Sequence, residues 1–144
     1  MRKLAILGTL IAVCGASSAA VSQTTYTLTL QEYINGPLNY SGGGWAIQAL
    51  VVSGSIVSCT PAPTTVVSDA TYTRTCTVAA GSHLNILAGP LRMGKSFGPG
   101  LQCKYALFTN FYGTGAGSYS GTNSSPVIVV NNNITEHANW SCQY

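Results

Sequence analysis

The chain predicts an all-β fold: an antiparallel β-sandwich, Ig-like or jelly-roll-like, of about eight short strands and held by disulfides. A small β-barrel is the alternative way to close the same strands. Three observations carry this expectation. Apolar and hydroxylated residues alternate with period two along much of the chain, no stretch has a convincing amphipathic helical period, and Gly, Pro and Asn punctuate it at short intervals.

The strands follow in order. Thr25 to Leu30 places Tyr26, Leu28 and Leu30 on one face and threonines on the other, and Asn35-Gly36-Pro37 stops the run. After Gly42-Gly43-Gly44, the segments Trp45 to Val52 and Ser55 to Cys59 are apolar enough to be central strands. Pro61 and Pro63 interrupt again, and Thr71 to Val78 resumes the alternation. His83 to Ala88 follows Gly81. Gly89 to Gly100 then reads as a Gly/Pro loop carrying Arg92 and Lys95, and Leu101 to Tyr112 as a long, bent strand. Gly113 to Pro126 reads as a loop with Tyr119 near its centre, followed by strands at Val127 to Val130 and Ile134 to Tyr144. In the last strand Ile134, Ala138, Trp140, Cys142 and Tyr144 face inward. Glu136 shares that face, which predicts a solvated rim position for it.

Residues 1–20 read as a cleaved signal peptide and 21–144 as one domain. Arg2 and Lys3 precede ten apolar residues, Leu4 to Val13, and Ala16 to Ala20 supply small residues for cleavage. Ten residues rise about 15 Å as a helix, roughly half of a bilayer core, so this is no transmembrane segment. The expected location is secreted or periplasmic. Lipid attachment at Cys14 is disfavoured because Val13, just before it, is not small.

Losing the signal takes the formal net charge from +3 to +1. The remaining basic residues, Arg74, Arg92, Lys95 and Lys104, are scattered, and a phosphate-binding surface needs them clustered; nucleic acid is not an expected partner. Charged residues are 6% of the chain, against about 25% in ordinary domains, so solubility rests on hydroxyls and amides. Losing the signal also leaves an even set of cysteines. Three pairings are possible, and Cys59–Cys76 with Cys103–Cys142 is favoured because each joins neighbouring segments; closing such loops would contribute roughly 3 and 4 kcal/mol on the chain-entropy model. Their spacing does not suit zinc, and no cofactor or metal is expected.

No catalytic motif stands out. A hydrolase would have to draw on His83 or His137 with Asp69, or on the carboxylates Glu32 and Glu136 meeting from the first and last strands. The stronger expectation is a non-enzymatic binding domain. Tyr40, Trp45, Tyr112 and Tyr119 lie in or beside Gly-rich loops, where exposed rings can meet an extracellular, host or glycan ligand. A third reading is a structural subunit that polymerises by adding Gln23 to Leu30 to a neighbour's sheet.

Overall fold

A computed structural model describes residues 22–35, 47–60, 71–89, 91–93 and 105–143. Their strands are β1 (Thr25–Asn35), β2 (Ile47–Ser53), β3 (Ile56–Thr60), β4 (Thr71–Ala79), β5 (Ser82–Ala88), β6 (Leu91–Met93), β7 (Tyr105–Thr114), β8 (Val127–Val130) and β9 (Ile134–Gln143). They form two sheets, one of six strands in the order β3-β4-β1-β9-β7-β6 and one of three in the order β2-β5-β8. The expected sandwich is present, and the sheets do not close into a barrel. Pairing is antiparallel except that β1 runs parallel to β9, from Leu28↔Ile134 to Asn35↔Ser141. The first and last strands therefore lie side by side at the centre of the larger sheet.

Alternation decides which face is buried. Leu28 and Leu30 on β1, Cys76 and Val78 on β4, and Ile134, Ala138 and Trp140 on β9 all point inward with at most 1% exposure. Leu84, Ile86, Ala88, Ile128 and Val130 of the smaller sheet meet them. Thr25, Thr27, Thr73 and Thr75 are exposed on the outside. Trp140 anchors one part of the core, edge-on to Phe108 at 5.7 Å between ring centroids, with its indole N–H donating to the Gly89 carbonyl at 2.8 Å. That bond satisfies the one polar group a buried Trp carries.

Three expectations are corrected. β2 and β3 are not central strands: each is the outermost strand of its own sheet. Much of their apolar surface is exposed, so an apolar run here signals neither a central position nor a covered face. Leu91–Met93, expected as loop, pairs with β7 as β6. The bend expected in the long strand matches a register shift between Phe108 and Asn110 in β7, and residues 101–104 lie outside the described residues. Glu136 is no rim residue, since it is fully buried. Tyr40, Trp45, Asp69 and Cys103, and the segment 1–20 expected to be a signal peptide, lie outside the described residues.

Candidate functional site

The link from β2 to β3 is Gly54-Ser55, and it crosses from one sheet to the other. Gly54 has φ +84°, a conformation that L side chains rarely adopt, and a Cβ there would run into Ser82 Oγ. The Ser55 N–H donates to Ser82 Oγ at 3.0 Å, the Ser82 hydroxyl returns a bond to the Ser55 carbonyl, and the Ala79 N–H donates to that same carbonyl. Ser82 is fully buried, and these bonds explain why a polar side chain is tolerated there. The corner thus fixes where the two sheet edges part.

Between those edges lies a cleft of about 480 Å³. Ala49 and Leu50 wall one side, Ile56 and Val57 the other, and Leu30 and the Cys59–Cys76 disulfide form the floor. Cys59 and Cys76 stand directly opposite each other on β3 and β4, Cα atoms 4.0 Å apart, so the disulfide staples an edge strand to its neighbour. The surroundings are unusually apolar for a sheet edge. Leu50 and Val51 are 48% exposed, Val52 61% and Val57 60%. Neither β2 nor β3 carries a charged residue. Arg74 also lines the cleft, but it is only 3% exposed. The β1–β4 register places it beside Leu30, diagonal to Glu32, so opposite charges share one buried face.

A second polar feature lies across β9. Glu136 is covered by the segment that follows β7, where the Tyr119 N–H donates to its Oε1 at 2.7 Å and Oε2 is buried without a partner. Burial pushes this carboxyl up to about 7 from its usual 4.5, against the opposing pull of the Tyr119 N–H. The covering segment is held further by paired bonds between Phe111 and Gly121 and by the Gly113 N–H donating to Ser120 Oγ.

The remaining candidates do not converge. His83 is exposed on the outer face of β5, and His137 lies on the outer face of β9, so the histidines stand on opposite sides of the sandwich. Glu32 and Glu136 do lie on adjacent strands, with Glu136 opposite Leu30, but both are buried where no substrate reaches. Among the described residues no three His, Cys, Asp or Glu side chains gather to hold a metal ion. Tyr112 is 58% exposed on the outside of β7, its ring 6.0 Å from that of His137. Tyr119 is half-buried instead, edge-on to Phe111, and its hydroxyl accepts the Asn123 N–H. Cys142 is disulfide-bonded to a residue outside the described set.

Compared with known proteins, the chain matches no family model, no curated protein and no solved structure. The cleft was not anticipated among the site residues. Its signal was present in the two strongly apolar, uncharged runs either side of Gly54, whose exposure depends on sheet order.

Proposed function

We propose that this is an exported, non-catalytic binding domain whose β2–β3 cleft takes an extended polypeptide segment. One observation carries the reading: two uncharged, apolar edge strands flank a cleft, and no strand among the described residues pairs with their outer edges. Native proteins usually blunt free edges with Lys, Pro or inward charges, because a bare edge recruits another strand. β2 and β3 carry no Lys, Pro or charge, and their protection is limited to one register shift each, at Val51/Ser53 and Ile56/Ser58. An occupant with an extended main chain would satisfy the edge backbone, and apolar side chains would cover Leu50, Val51 and Val57.

Export is supported by the Arg2-Lys3, Leu4 to Val13 and Ala16 to Ala20 pattern and by the disulfide, which persists in oxidising compartments. The separation of His83 from His137 and the inaccessibility of Glu136 favour binding over hydrolysis.

The test sets a displayed library of random decapeptides against a glycan array. The expected result is enrichment of peptides with alternating apolar residues, and at least about tenfold weaker retention by Val57→Lys at unchanged Tm. Glycan binding without peptide enrichment, or full retention by Val57→Lys, would overturn the reading. In the glycan case Tyr112 would become the residue to substitute next.

A further inference from the structure

The two sheets are unequal in a way that limits what can enter the cleft. β2 lies against β1, so β4 and β3 reach past it by two strand positions, or roughly 10 Å at ordinary strand spacing. On the opposite flank the segment after β7 covers the larger sheet, with Tyr119 packed on Phe111. On the β3 flank Val57 is left 60% exposed, and Ile56 and Cys59 are only partly buried.

The backbone of β2 is oriented to use that space. The Ile86 and Ala88 N–H groups donate toward the β8 side, to Pro126 and Ser124. Antiparallel alternation then turns Asn85 and Leu87 toward β2, where they pair with Leu50 and Gln48. The N–H and C=O groups of Ala49 and Val51 therefore point away from β5, toward the cleft.

We infer that the cleft accepts one solitary extended segment of another polypeptide, added beside β2 as a fourth strand of the smaller sheet. This rests on the peptide-binding reading above and narrows it to one edge and one kind of partner. A second copy of this chain does not fit edge to edge. Pairing β2 with β2 would bring two overhangs, each made of β4 and β3, into the same space. A stable dimer also needs about 1,200–2,000 Å² of buried surface, which a seven-residue edge held apart by such a collision does not provide. A single strand has no overhang. Its inward side chains, set against Ile56, Val57 and the disulfide, are apolar and uncharged, because β2 and β3 carry no charge and the Arg74 that also lines the cleft is buried on the same face as Glu32. The partner is thus a free tail or unfolded linear stretch with apolar residues at alternate positions.

The experiment follows amide exchange by NMR on the full chain, with a nine-residue peptide of alternating threonine and valine closed by a lysine at each end. Binding is expected to slow exchange at Ala49 and Val51 at least about tenfold and to leave Cys59 unchanged. A peptide with lysines in place of the valines is expected not to bind. Val51→Pro removes an N–H that its own ladder does not use, so it should weaken binding while the protein stays folded. Protection at Cys59 alone would put the strand on β3, overturning this inference while leaving the peptide-binding reading intact. Protection of Ala49 and Val51 that rises with protein concentration without peptide, together with a doubled mass in ultracentrifugation, would make the occupant a second copy and overturn it. Absence of any peptide binding would overturn both.

Discussion

Glu136 holds a carboxyl in a place water does not reach, with one N–H for company. In the folded state it keeps a proton that the unfolded chain releases, since its pKa is about 7 rather than 4.5. Stability should therefore fall as pH rises from about 4.5 to about 7 and then level off. Glu136→Gln removes that dependence. Urea unfolding at pH 8 should find the variant more stable by up to about 3 kcal/mol, and at about pH 4, below the unfolded value, the two should nearly coincide. Equal differences at both pH values would mean that the folded carboxyl is hydrated. The neighbour across the ladder makes a steric prediction. A Cβ on Gly113 would come within 2.5 Å of the Tyr119 carbonyl, 2.6 Å of Ser118 Cβ and 2.8 Å of Glu136 Oε2. Gly113→Ala should cost about 1–3 kcal/mol in denaturant unfolding, because the segment over Glu136 must lift to admit it.

At the scale of elements, β3 depends most on a covalent bond. It is short, it pairs on one side only, and the disulfide to β4 closes a loop across a sequence separation of 17. Reduction should lower stability by about 3 kcal/mol and loosen β3 before the remainder of its sheet. Denaturant titration with and without dithiothreitol, with thiol labelling to confirm the reduced state, measures the first effect; exchange at β3 amides measures the second. If β3 amides keep full protection after reduction, backbone pairing alone holds the strand. This pairing of cysteines was legible from their spacing, as were the inward faces of β1 and β9. That β2 and β3 are edges was not legible. A run such as IQALVVS reads the same whether its second edge meets a strand or an open cleft. Glu136 misled for a related reason: an acid on an inward face suggests a rim, until a distant N–H closes over it.

Across the described molecule, cohesion runs through the parallel junction of β1 and β9. β9 pairs with β1 on one side and β7 on the other, and it supplies Ile134, Ala138 and Trp140 to the core. Truncation after Asn133 should abolish the cooperative thermal transition, because β1 and β7 would lose their common neighbour and the core its largest side chain. A truncated chain that still melts sharply would show that the sheets hold without that seam. The sequence by itself determined the class of fold and the alternation that buries one face of each strand, and it favoured the Cys59–Cys76 pair that the structure contains. These follow from local periodicity and chain proximity, which a linear reading contains. Tertiary structure alone decided the sheet order, the parallel seam of β1 and β9, the burial of Glu136 and the uncovered flank between β2 and β3. Those depend on which distant segments become neighbours, and strand pairing over such separations leaves no period in the sequence.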